Sequence, residues 1–143
     1  MIIHATHDAF KEKIMIKFVN LNPHPMVLRI NVTNTAAEPD AGDIVVQPRR
    51  GEDGPAPARV ATVPGQLTGD LGGVPAYGRT TFGAVEGLPA PETDTIYLVS
   101  ALVGGRPEVA DREDVFVPGT GPKDGAVRTV EGQIYAVTRL IRA

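Results

Sequence analysis

Glycine and proline punctuate this chain so often that long regular elements are excluded. They number 16 and 13 among 143 residues, about one position in five, and each is costly inside a helix or a central strand. Between the breaks stand strand formers, with 17 Val and 12 Thr against 8 Leu. Short strands and many turns follow, and a helical bundle does not. A chain of this length makes one domain and buries roughly two-thirds of the surface it exposes when unfolded. The expected fold is a β-rich α+β domain over residues 15–143. It is a single compact unit of short, mostly antiparallel strands with at most one substantial short helix.

Residues 1–14 read differently. His4, His7, Asp8, Lys11, Glu12 and Lys13 surround few apolar positions, so this stretch is expected to be a flexible N-terminal extension or a frayed helix. His4-x-x-His7-Asp8 has a spacing that suits a metal on one helical turn, but two or three isolated ligands rarely build a site. A solvated terminus is the preferred reading, and no metal or cofactor is expected.

Several function classes fall away on composition. Without cysteine there is no disulfide framework, zinc ribbon or thiol nucleophile. A formal charge of −3 gives no reason to expect nucleic acid or an anionic membrane. The few aromatics are not interleaved with the cations Arg128, Arg139 and Arg142, as a stacking platform would require. No apolar run approaches the ~20 residues of a membrane span, and the N-terminus lacks a basic start with a long apolar core. A cytoplasmic location is expected.

Met15–Asn20 and Met26–Thr33 read as two strands joined by a rigid turn, Leu21-Asn22-Pro23-His24-Pro25. Residues 34–42 and 48–57 read as loops around a short strand at 43–47. Strands at 58–63 and 78–85 flank a Gly-rich stretch at 65–73. Thr95-Ile96-Tyr97-Leu98-Val99 is the strongest strand, and its continuous apolar run predicts burial on both faces at the centre of a sheet. Ser100 then caps a helix that Gly104, Gly105 and Pro107 keep short. The last strands are expected at 114–117 and 133–141.

Three places carry candidate chemistry. His24 lies between two prolines that fix its backbone, so its ring is held rigidly enough to meet a carboxylate or phosphate; the plainer alternative packs it over the turn. Ser100 at a helix N-terminus offers an anion site or a nucleophile, but Leu98 and Leu102 stand where a nucleophile elbow has glycines, which favours simple capping. Arg112, Lys123 and Arg128 place three cations around a turn rich in glycine, which suits an anion. The competing view pairs Arg112 locally with Asp114 or Glu113. Gly119-x-Gly121 fails the dinucleotide fingerprint, because Asp124 stands where the third glycine belongs.

At these residues the chain resembles a family of small, largely uncharacterised bacterial and phage-encoded proteins with the succession Asn-Leu-Thr-Pro-His, Leu-Pro-x-Pro, Tyr-x-Val-Ser and Arg-x-Asp. Here the succession reads Asn20-Leu21-Asn22-Pro23-His24, Leu88-Pro89-Ala90-Pro91, Tyr97-Leu98-Val99-Ser100 and Arg112-Glu113-Asp114. Asn22 replaces the threonine. The resemblance implies that His24, Ser100, Arg112 and Asp114 meet in one place, in a host cytoplasm or a virion, and it implies no activity. The leading expectation is a non-catalytic module, homo-oligomeric, that binds a small anionic or nucleotide-like ligand. His24, Ser100, Arg112 and Lys123 would contact the ligand and Asp114 would orient Arg112. A structural or assembly protein is the alternative, and a Ser100–His24 hydrolase is third.

Overall fold

The computed structural model describes the backbone of residues 2–7 and 12–143, and side chains from Met15 onward. Strands β1 (Ile2–His7) and β2 (Glu12–Asn20) pair antiparallel, so the backbone there is strand where an extension or frayed helix was expected. The side chains of His4 and His7, and Asp8 altogether, lie outside the described residues, and so does the metal spacing they carry. Strand β3 (Met26–Leu28) does not pair with β2 across the Pro-bracketed turn. It crosses to a second layer and pairs antiparallel with β4 (Ile44–Val46). It also stops at Leu28, because Arg29 turns inward. A two-residue ribbon, β5 (Arg50–Gly51) with β6 (Gly54–Pro55), forms inside the 48–57 loop.

The chain then runs out along β7 (Arg59–Val63) and β8 (Leu67–Leu71) and returns along β9 (Val74–Tyr77) and β10 (Thr81–Glu86). Next come β11 (Thr95–Leu98), helix α1 (Ala101–Gly104), a 3-10 turn at Pro107–Val109 and β12 (Val115–Pro118). The chain closes with β13 (Val127–Arg128), β14 (Ile134–Ala136) and β15 (Leu140–Arg142). The strand expected at 133–141 is therefore two, in different layers. Strands make up most of the regular structure and α1 is its one α-helix among the described residues, in keeping with a β-rich domain.

The main sheet has the order β1-β2-β11-β12-β15. Its three inner strands run parallel and its outer pairings are antiparallel. Strand β11 occupies the middle, as its apolar run predicts, and its side chains alternate between two cores. Tyr97 and Val99 join Leu21, Val103, Val109 and Val115 on one face, where α1 and the 3-10 turn form the cover. Leu98 joins Met26, Leu28, Val46 and Val137 on the other, under the small sheets. Tyr97, Leu98 and Val99 are at most 2% exposed, each burial contributing about 1.5–3 kcal/mol. Helix α1 approaches β12 so closely that a Cβ on Gly104 would sit 2.5 Å from Val117 Cγ1.

One part of the fold is not core. Strands β7 to β10 form an arm of two successive ribbons, β7 with β10 at the root and β8 with β9 beyond. The Gly-rich stretch read as a spacer is thus a hairpin. Gly72 and Gly73 both have positive φ (64° and 93°), the geometry of a tight two-residue turn that follows the strand twist. The ribbons meet at a waist where a Cβ on Gly65 would lie 1.8 Å from the Gly78 carbonyl oxygen, so only glycine fits. The root is anchored: Val60 and Val85 pack on the first core, Val85 N donates to Glu108 Oε2 (3.3 Å), and the Arg106 guanidinium lies 4.4 Å from the Phe82 ring centre.

Candidate functional site

The Asn20–Pro25 turn is organised by Asn20. Its carboxamide is buried and donates to His24 O (2.9 Å) and Val46 O (3.0 Å). The same group accepts from Asn22 N (2.9 Å) and Asn22 Nδ2 (3.1 Å). Two layers and one turn are tied through a single amide, with every polar atom satisfied. Sequence reasoning placed the interest in His24 and missed Asn20. Asparagine is ordinary at a strand end, and only the structure places this one inside. His24 is exposed, and its main-chain carbonyl makes the turn's bond.

Ser100 caps α1, its Oγ accepting from Val103 N at 3.3 Å. No hydrogen bond joins Ser100 to His24 among the described residues, so the hydrolase arrangement is not assembled. Arg112 and Asp114 do meet. Nε and Nη2 reach the two carboxylate oxygens at 2.8 and 2.9 Å, while Nη2 also donates to Pro89 O at 3.0 Å. The guanidinium lies 5.8 Å from the Tyr97 ring centre, and Tyr97 OH donates to Ala90 O at 3.1 Å. The pairing holds the Asp114 carboxyl below the usual carboxylate range, and burial pushes the Tyr97 phenol up. Asp114 thus holds Arg112, whose guanidinium pins the Leu88–Pro91 turn.

Lys123 is exposed on the loop after β12. That loop is closed by Asp124, whose Oδ2 accepts from Gly121 N at 2.7 Å, and by Arg128, which donates to Thr120 O at 2.7 Å and Gly132 O at 3.1 Å. No hydrogen bond or ion pair among the described residues joins His24, Ser100, Arg112 and Lys123 to one another. Four of the surface depressions are each lined by at most one of His24, Ser100, Arg112, Asp114 and Lys123, one by His24 and another by Asp114. His24 shares its depression with Met26 and Val137 of the second core, whereas Arg112 stacks on Tyr97 of the first. Among the described residues no cluster of three potential metal ligands exists.

A buried cation escaped the sequence reading. Arg29, 2% exposed, gives all five N–H groups away: two to Asp43, and one each to the carbonyls of Asn34, Ala36 and Glu38. It is the hub around which residues 34–43 wrap. Its bonds hold Asp43 below the usual carboxylate range.

Two surfaces remain open. On the arm, Val63, Leu67, Leu71, Val74, Tyr77 and Phe82 are 45–75% exposed. Leu71 lies opposite Val74, and Leu67 opposite Tyr77, as apolar cross-strand pairs with no layer over them. On the body, a depression of about 360 Å³ has Phe18, Val19 and Tyr97 along its wall and Lys17, Gln47, Arg49 and Glu92 around it. Among the described residues no helix is long and apolar enough to cross a membrane. No protein-family model matches the chain, and neither a curated protein sequence nor a solved structure matches it.

Proposed function

We propose that this chain is a non-catalytic assembly subunit that docks through its β-arm onto another protein component of a larger particle. The apolar arm is the observation that carries this reading. A two-stranded ribbon is marginal alone in water, and this one spends six large apolar side chains on solvent. The Arg112–Asp114 and Asn20 networks support it from the other side, since their donors and acceptors are engaged in holding turns. The resemblance to phage-encoded proteins suits a particle component. A photo-crosslinking residue placed at Leu71 in the producing cell should give adducts of discrete mass, whereas one at the exposed Val130 should not. Absence of any adduct at Leu71 would refute the reading.

A small-ligand module is the second reading, favoured by the depression of about 220 Å³ that Asn22, His24, Thr120 and Tyr135 help to line. Nucleotides and cyclic dinucleotides at a hundredfold excess over the dissociation constant should then raise stability by about 2.7 kcal/mol. A flat thermal-shift panel removes it.

A further inference from the structure

We infer that the partner of the arm is a second copy of this chain, and that the arm tip seats in the depression beside Lys17 and Arg49. This rests on the assembly reading and names its partner. The tip is Asp70-Leu71-Gly72-Gly73-Val74, with two exposed aliphatic side chains facing each other across a glycine turn and one carboxylate beside them. Asp70 pairs with no described cation; its Oδ1 accepts only a long bond, 3.4 Å, from Gly73 N. The depression has the complementary character. Its wall is apolar at Phe18, Val19 and Tyr97, and its charged residues are two cations and one carboxylate, Glu92. Lys17 is exposed and pairs with no described carboxylate. Arg49 spends Nε and Nη2 on Ala56 O and Gly87 O, which leaves Nη1 without a described partner.

Size and exposure agree. A space of about 360 Å³ takes one or two aliphatic side chains and lies at the small end of ligand-sized cavities. Leu71 and Val74 are 75% and 65% exposed, so seating the tip takes most of two aliphatic side chains out of water. The tip does not occupy the depression of its own chain, where every residue of β8 is exposed. The contact therefore joins two different surfaces of two copies. Such a contact closes into a two-fold dimer where two arms exchange reciprocally and otherwise propagates into rings or filaments.

Charge exchange tests the inference on the full chain by sedimentation velocity. The wild type should associate with rising concentration. D70K and K17E should each weaken association about tenfold or more, with thermal unfolding unchanged because both side chains are exposed. An equimolar mixture of D70K and K17E should regain assemblies as large as those of the wild type, because each variant's tip carries the charge opposite to the other's depression, and the D70K/K17E double variant should regain them alone. A wild type that stays monomeric, or variants that associate like wild type, would overturn the inference. The Leu71 crosslinker separates the two readings. Adducts at twice the chain mass support self-association, adducts only of other masses overturn it and leave the assembly reading standing, and no adduct at all overturns both.

Discussion

Replacing Asn20 by alanine tests the claim that one buried amide couples the turn to both layers. The substitution removes two donations and two acceptances. His24 is exposed, so water can replace the bond to its carbonyl. Val46 and Asn22 are 1% and 7% exposed, so the main-chain groups that lose these bonds are left in the interior. At about 1–3 kcal/mol for each buried group left unpaired, the loss comes to about 2–6 kcal/mol. Against a total stability of about 5–15 kcal/mol for a domain, that is a large fraction. Urea unfolding followed by circular dichroism at pH 7 should show the midpoint falling with an unchanged slope. Asn20→Asp adds a sharper discriminant. It keeps the acceptor for Asn22 but turns a carboxylate toward two carbonyl oxygens, so it should be at least as destabilising at pH 7. Burial raises the pKa of such a carboxyl, so part of the loss should return as the pH falls and it protonates. A cost below about 1 kcal/mol for N20A, or wild-type stability for N20D at neutral pH, would refute the argument.

Gly65→Ala should disrupt the waist of the arm, since its Cβ falls on the Gly78 carbonyl, while Gly78→Ala, with nothing nearer than 3.7 Å, should be tolerated. Hydrogen exchange across 67–77 should accelerate in the first variant only, with the body's stability altered by less than about 1 kcal/mol. Arg29→Lys should loosen the 34–43 loop, because an ammonium has three donors where five acceptors wait. Faster exchange at the Asn34 and Asp43 amides and new proteolytic nicks within the loop would show it. Acid should destabilise the fold through Asp43 and Asp114, whose carboxyls the bonds from Arg29 and Arg112 hold low. A carboxylate with a lower pKa folded than unfolded contributes fully above its unfolded value, about 3.9, and loses that contribution as pH drops through the folded one. Unfolding free energy should therefore decline as the pH is taken below about 5, and D114N should flatten the decline.

Some of this was legible in the residues. Ile96 to Val99 had to be buried on both sides, whatever lay around them, and that placed β11 at the centre. Ser100 as a cap and Asp114 as the partner of Arg112 needed only neighbours in sequence. What failed was anything that depended on which side of the sheet a residue meets. His24 shares a depression with residues of the second core and Arg112 stacks on Tyr97 of the first, and no spacing along the chain encodes that. The arm escaped for another reason. Glycines 65, 69, 72 and 73 read as breaks, yet here they serve as waist, bulge and turn of a continuous ribbon. Leu71 and Val74 are too few to announce a strand by periodicity. Asn20 and Arg29 escaped because their burial comes from partners remote in sequence, at Val46 and Asp43.

The parallel pairing of β2 with β11 has a consequence for how the molecule reaches its native state. Every residue from Leu21 to Asp94, the arm included, lies between two strands that are hydrogen-bonded neighbours. The central ladder cannot zip until so long a loop has closed, and that entropy is lost before the contacts that repay it exist. The chain should refold in the slow range of two-state domains, milliseconds to seconds, and on the ribosome its middle strand must emerge before the early hairpin can find its permanent neighbour.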